Sequence, residues 1–436
     1  MNRIHKITDQ CGDKVAAEGS SSSQGPNEIF YHEIAQLTKL RSRPHELLSK
    51  DMPGRSRLPV STMKMLLSCF KSIFACKWSC TVEQLDSRTY VSQFSDDGTL
   101  FIAGCQGSHI RIYNVDKGWK VKKDILAKSL RWTITDACLS PNQHYLVYAS
   151  LSPVVHIVNI ESAATESLAN VTEIHDVLNF SGNDDDYDDF GIFSVKFSTD
   201  GRELVAASSD NSIYIYDLEA NSCSLRVLAH KSDVNTVCFA DEAGHLLYSG
   251  SDDNLCKVWD RRCFISKGKA ARVLMGHLEG ITFIDSRGDG LYFISNGKDQ
   301  TTKLWDIRKM SSNAKDYTPK CRYSDWDYRW MECPPHAKTL KHPRDQSLIT
   351  YRGHSILRTL IRCYFSPEYS TGQKYIYTGS SDCSVYIYDL VSGALVATLD
   401  HHEGLVRDCN WHPFYPMIVS SSWDCVLARW EFPGCG

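Results

Sequence analysis

The 436-residue chain has no surplus of either charge, no Cys-x-x-Cys pair and no apolar run long enough to cross a bilayer. With 48 Lys+Arg against 52 Asp+Glu, it lacks the strongly basic balance that phosphate-driven nucleic-acid binding requires, so no direct nucleic-acid contact is expected. The start, MNRIHKITDQ, has no apolar core of the kind a signal peptide carries. The most apolar window, Met63–Trp78, is short and interrupted by Lys64 and Lys71, so no membrane span is expected. Seventeen cysteines are present, but Cys138, Cys238, Cys363 and Cys409 fall inside apolar, strand-like runs, where a reduced thiol acts as a small hydrophobe. A soluble protein of the reducing cytosol or nucleus is expected. Phosphate-binding loops, nucleophile elbows and clustered metal ligands are absent as well. The chain is therefore expected to be no enzyme, with no catalytic residue, metal or cofactor.

What the chain does have is repetition. Segments of apolar alternation close on an aromatic or aliphatic residue followed by Asp, Asn or Glu at Tyr113-Asn114, Val158-Asn159, Tyr216-Asp217, Trp259-Asp260, Trp305-Asp306, Tyr388-Asp389 and Trp430-Glu431. Most spacings are 42 to 46 residues, and two, of 58 and 83, require insertions. Six residues before the aromatic stands Asp210, Asp253, Asp299, Asp382 or Asp424. Two residues earlier comes Ser208, Ser251, Ser380 or Ser422, with Gly297 as the exception, and His230, His277, His354 and His402 precede them near turns. Identity, offset and period agree with one pattern, and the sequence resembles a WD-repeat β-propeller, whose blades are four antiparallel strands.

The resemblance implies an all-β, seven-bladed propeller over residues 77–436. A buried hydrogen-bonded network is expected from His230, Ser251, Asp253 and Trp259, with counterparts at His277, Asp299 and Trp305 and at His402, Ser422, Asp424 and Trp430. Repeats 1 and 2 carry Gly107 and Ser152 in place of the Asp and are expected to depend on apolar packing. Too few residues follow Trp430 for another strand, so the last blade should borrow its outer strand from Lys77–Gln84, which removes free sheet edges.

Residues 1–27 are polar and expected to be disordered. Residues 28–76 are expected to form a helical extension: Ile29, Phe30, Ile34, Leu37 and Leu40 recur near helical spacing until Pro44. That helix either packs on the ring or enters a partner's groove. One insertion is placed near 176–191 and holds NDDDYDDFG, a solvated loop or an acidic contact for a basic partner. The other, 309–345, should hang from the face on which Arg308 ends and, being rich in Trp and Tyr, fold onto the ring. Its Cys321, Cys333, His336 and His342 lack the tight Cys pair of a zinc site.

Two copies, KVWDRR and KLWDIR, add an Arg two residues after the Asp. Other copies do without it, since Asp217 is followed by Leu218-Glu219 and Asp389 by Leu390-Val391. The fold therefore does not require Arg there, and the two Arg stand on consecutive blades. Either each rests on its own Asp, or the pair anchors a partner. This doubled Trp-Asp-x-Arg pattern resembles the substrate receptors of cullin-4 ubiquitin ligases. With FYHEIAQLTKLRSRPHELL, SDWDYRWMECPP and GHSILRTLIRCYFSP, it is similar to the subfamily of cullin-4-associated factor eleven and its plant relatives. The resemblance implies that Arg262 and Arg308, held by Asp260 and Asp306, contact the damaged-DNA-binding adaptor and through it cullin-4. It also implies that an unidentified protein substrate is taken on the opposite face, and that nuclear and cytoplasmic forms exist. The alternative is a general propeller scaffold in another assembly.

Overall fold

The computed structural model describes residues 78–161, 175–181, 190–263, 270–309, 326–335 and 337–431. The expected disordered segment 1–27, the helix over Glu28–Leu40 and the apolar stretch Met63–Phe74 lie outside the described residues. So does most of the acidic loop. The rest is seven four-stranded antiparallel sheets, six with their strands in sequence order from the inside outward and one whose outer strand comes from residues 78–84. Strand alternation explains the arrangement. In Leu204, Ala206 and Tyr214 on one side, and Val205, Ala207 and Ile213 on the other, both sheet faces are apolar, because each blade is covered by two neighbours.

The inner strand of the first blade is Thr89–Phe94 and that of the seventh is Val406–Trp411. The seventh blade is completed by Trp78–Gln84, antiparallel to Val426–Glu431, with Trp78 opposite Glu431 and Gln84 opposite Val426. The first and last described strands thus share one sheet, so the third strand of the seventh blade is not left as a free outer edge. The antiparallel order gives the ring two faces. The upper face carries the connections between blades and the turns between second and third strands. The lower face carries the remaining turns, including the ends of all third strands.

Three blades contain the hydrogen-bonded chain, with one correction to its membership. His230 Nδ1 meets Asp253 at 2.9 Å, His230 Nε2 meets Ser249 Oγ at 2.8 Å, and Trp259 Nε1 donates to the same oxygen at 2.8 Å. His277, Asp299, Ser295 and Trp305 repeat it in the fifth blade, and His402, Asp424, Ser420 and Trp430 in the seventh. The hydroxyl comes from Ser249 and Ser420, not from Ser251 and Ser422. Side chains two apart lie on one face of a strand, so both serines face His, but only the deeper one reaches the indole. Ser251 instead donates to Ser232 O at 3.0 Å and accepts from Asp253 N at 3.1 Å, and Ser422 accepts from Asp424 N at 3.2 Å. Burial alone would raise the Asp424 carboxyl, but the His402 hydrogen bond and charge bring it down to about 2. Gly297 is explained as well: a Cβ there would lie 2.4 Å from His277 Nδ1.

The first two blades lack this chain but are not purely apolar. Tyr113 donates to Glu83, which also holds Arg111 at 2.7 Å, and Tyr148 meets His175 Nδ1 at 2.8 Å. Around the channel, charges bind blade to blade. Asp136 pairs with Lys196 at 3.0 Å and with Arg362 across the ring at 2.9 Å, and Arg362 reaches Asp408 at 3.3 Å. Cys138, Cys363 and Cys409 are buried, Cys238 partly so, and all described cysteines are free thiols. No described helix is long and apolar enough to cross a membrane.

Both insertions differ from expectation. The outer strand of the second blade is His175–Asn179, inside the range expected to be loop. Extra length therefore sits on both sides of this strand, because much of it joins third to outer strand. The second insertion leaves the lower face after Lys309, yet its described part reaches the upper face. Arg358 N donates to Tyr328 O at 2.9 Å, Lys298 Nζ stands 4.2 Å from the Tyr328 ring centre, and Gln346 N donates to Met275 O at 3.0 Å. It is anchored by the buried Lys303, whose ammonium bonds Asp345 at 2.5 Å. The segment packs on the ring, on the side opposite to the one expected.

Two outcomes follow from these contacts. Ser249→Ala leaves His230 and Trp259 without their shared partner and should cost about 3 kcal/mol, whereas Ser251→Ala should cost about 1 kcal/mol. Denaturant unfolding that ranks the two equally would contradict the assignment. His354, in the connection leading into the sixth blade, is buried with no carboxylate partner among the described residues; it meets Tyr388 OH at 3.1 Å and Asn296 Oδ1 at 3.1 Å. Burial pushes its imidazole down to about 4 from 6.5. The unfolded chain then binds the proton first, so this contribution is complete above about 6.5 and is lost as pH falls toward 4. Melting temperature should fall across that window, less steeply in His354→Gln; equal slopes would show that His354 plays no part.

Candidate protein-docking site

Third strands in the fourth and fifth blades, Cys256–Asp260 and Thr301–Asp306, run to the lower face and pass into single 3-10 turns, Arg261–Cys263 and Ile307–Lys309. The turn is written by the Asp. Its Oδ1 accepts the backbone N–H two residues on, Arg262 N at 3.0 Å and Arg308 N at 2.9 Å. Blades without Arg do the same: Asp217 accepts from Glu219 N at 2.8 Å and Asp389 from Val391 N at 3.2 Å. The Asp therefore has a turn-closing role in the fold that is separate from any role of the Arg.

Only the fourth and fifth blades add a guanidinium two residues after that Asp. Arg262 Nε donates to Asp260 Oδ1 at 2.9 Å and Nη2 to Oδ2 at 2.7 Å, a bidentate pair. Arg308 does likewise with Asp306, at 3.0 Å and 3.0 Å. These hydrogen bonds hold the Asp260 carboxyl below its ordinary value, so the pair is ionised at neutral pH. Both Arg reach solvent: the Arg262 side chain is 65% exposed and that of Arg308 44%. They emerge from corresponding turns of neighbouring blades on one face, each fixed at its inner edge by its own carboxylate.

The two are not equivalent. Asp306 is buried, whereas Asp260 is partly exposed. Arg308 Nη2 also donates to the hydroxyl of Tyr292 at 2.6 Å, and its guanidinium lies 5.4 Å from the ring centre. Tyr292 is fully buried at the start of a second strand, a support that spacing along the chain does not reveal. Arg261, next to Arg262, turns inward instead, donating to Gly244 O at 3.2 Å and pairing with Glu203 of the third blade. In the fifth blade Ile307 takes that place, packed against the core around Trp305. Side chains one and two after the Asp thus separate into a structural and an outward-facing position.

The remaining candidates belong elsewhere. His230, Asp253, Trp259 and their counterparts are spent within blades on the network described above. Cys321 and His336 lie outside the described residues, His342 Nδ1 accepts from Arg344 N at 3.1 Å, and no metal-ligating cluster occurs among the described residues.

Five segments, 177–217, 222–260, 268–306, 345–389 and 393–431, match the family described as WD domain, G-beta repeat. Each begins in or a few residues before the outer strand of one blade and ends with the third strand of the next. Over 99% of its length the chain is 70% identical to the LEC14B homolog of Prunus armeniaca, covering 95% of that protein. It is 38% identical over 80% of its length to a DDB1- and CUL4-associated factor 11 homolog of Caenorhabditis elegans, of which it covers 62%. The homolog of that name in Caenorhabditis briggsae is 36% identical over 98% of the chain, which covers 74% of it.

Separate roles for Asp and Arg make a measurable difference. Asp306→Ala should destabilise by about 2 kcal/mol, leaving a turn N–H without its acceptor and the Arg308 guanidinium without its carboxylate. Arg262→Ala should leave the melting temperature within about 2 °C of the parent, as for an ordinary surface pair. Equal losses in thermal unfolding would mean that the Arg serves the fold.

Proposed function

From a chain that belongs to the WD40-repeat propellers, in the group of the LEC14B proteins and the DDB1- and CUL4-associated factor 11 homologues, we propose a substrate receptor of a cullin-4 ubiquitin ligase. In this reading the chain is a non-catalytic subunit. Its lower face docks on DDB1, the damaged-DNA-binding adaptor, which joins it to CUL4. Its upper face presents a protein substrate, and the receptor acts in both nucleus and cytoplasm. The observation that carries the reading is the pair Arg262 and Arg308, exposed on neighbouring blades of one face and each braced by a carboxylate the turn already needs.

Physical chemistry supports such an anchor. Arg is enriched among interface residues that dominate binding, and its planar fork loses less freedom when one edge is already held. Two of them on one rigid rim fix both position and rotation of a docked surface. The upper face is free of these anchors and carries the connections between blades, the segment with Trp330 at 83% exposure among them.

Arg262→Glu with Arg308→Glu tests the reading. Losing one buried hot-spot Arg costs about 2 kcal/mol or more, and charge reversal adds repulsion. Co-purification of DDB1 should fall at least about thirtyfold, with the melting temperature within about 2 °C of the parent. Undiminished binding by a folded double variant would leave a propeller scaffold of another assembly as the better reading.

A further inference from the structure

We infer that the upper end of the central channel holds a binding site for a small anion, built on Arg407. This residue is the second of the inner strand Val406–Trp411 of the seventh blade, on the side away from Arg262 and Arg308, so the inference does not rest on the ligase reading. Arg407 is 4% exposed. Its Nε donates to Thr359 Oγ1 at 3.2 Å and its Nη2 to Thr135 O at 3.4 Å. The guanidinium stands 5.2 Å from the centre of the Tyr90 ring. Among the described residues Nη1 is buried without a partner, and no carboxylate lies within ion-pair distance of Arg407.

The surrounding charges do not balance. Three cations face the channel here: Arg362, Lys196 and Arg407. Two carboxylates answer them. Asp136 gives one oxygen to Lys196 and the other to Arg362, and Asp408 bonds Arg362, Tyr364 OH and Ser92 N. A further inner carboxyl, Asp285, accepts from Phe365 N and is pushed up by burial to about 7, so it carries only part of a charge at neutral pH. Burial, and then the neighbouring Arg362 charge, outweigh the nearby Asp408, Tyr90 and Asp136 and bring the Arg407 guanidinium down to about 10, the direction expected of an incompletely compensated cation.

A small cavity adjoins both guanidinium groups, lined also by Ser194, Asn235, Thr282 and Leu360. Its other polar protons are already committed. Ser194 donates to Asp136 at 3.1 Å, Asn235 to Asp252 and Ile281 O at 2.6 and 2.7 Å, and Thr282 to Ile361 O at 2.9 Å. The uncommitted donor is Arg407 Nη1. An occupant must then be an acceptor, negatively charged and small: an inorganic anion of chloride size, or a single carboxylate. A buried guanidinium without a counter-charge is unfavourable, and such an occupant relieves it.

Thermal unfolding of the full chain in sodium chloride, sodium acetate and sodium gluconate, at equal ionic strength and neutral pH, tests the site. Chloride or acetate should raise the melting temperature about 2 °C above gluconate. Arg407→Met should abolish that difference while melting in gluconate no lower than the parent, since an uncompensated charge has been removed. A shift with both ions or with chloride alone assigns the site to free small anions; a shift with acetate alone assigns it to a carboxylate, as a docked segment would supply. Identical melting in all three salts, or the same shift in Arg407→Met, would show that the cavity holds only water. Should the variant fail to fold, crystals of the parent grown in bromide decide: an anomalous peak within hydrogen-bond distance of Arg407 is expected, and its absence overturns the site.

Discussion

Pairing of Trp78–Gln84 with Val426–Glu431 is the constraint from which the rest follows. A ring whose seventh blade takes its outer strand from the segment that leads into the first blade is held shut by hydrogen bonds, and its blades cannot splay independently. Every third strand must then run the same way, so every closing Asp, Asn or Glu arrives on one face. That is what turns a sequence repeat into a surface. Asp260 and Asp306 are neighbours in space because their blades are consecutive, although 46 residues separate them along the chain.

Two kinds of polar contact hold that ring, at different depths. Within the fourth, fifth and seventh blades, a serine oxygen takes the indole proton and faces the imidazole, while the Asp fixes the other imidazole nitrogen. This ties the connection leading into each of these blades to its second and third strands. Around the channel, Asp136, Lys196, Arg362 and Asp408 tie blades to one another, Arg362 spanning from the sixth to the second. The first class resembles any buried, satisfied network. The second draws charge into the centre, where pairing must be complete to be favourable, and Arg407 is the member without a carboxylate.

Strand count, closure and the placing of Arg262 and Arg308 on one rim were legible because each depends on residue type at a fixed offset. Trp259, Trp305 and Trp430 announce third strands, and Asp at their ends announces turns. What failed depends on depth or on path. Ser249 and Ser251 share a strand face, so period and composition treat them alike, and only the distance to Trp259 separates them. The insertion after Lys309 leaves from the lower face, but an exit point does not dictate a route; Lys303, Gln346 and Arg358 draw it to the upper one. Tyr292 was invisible for a similar reason, since it meets Arg308 across a strand pair rather than along the chain.

The asymmetry of the two Arg bears on how a rigid ring presents a partner. Arg308 is fixed by a buried carboxylate and a buried phenol, whereas Arg262 rests on a more exposed carboxylate and has greater reach into solvent. A fixed donor sets the position of a docked surface, and a freer one adjusts to it, losing more side-chain entropy as it does so. The insertion begins one residue after Arg308 and extends to the opposite face, where Tyr328 is held by Lys298 and Arg358. Lower and upper faces are therefore joined by covalent chain as well as by the sheet. In a receptor of the proposed kind, this keeps the distance between the docked adaptor and the presented substrate set by the ring itself, and specificity is left to the side chains that line the upper face.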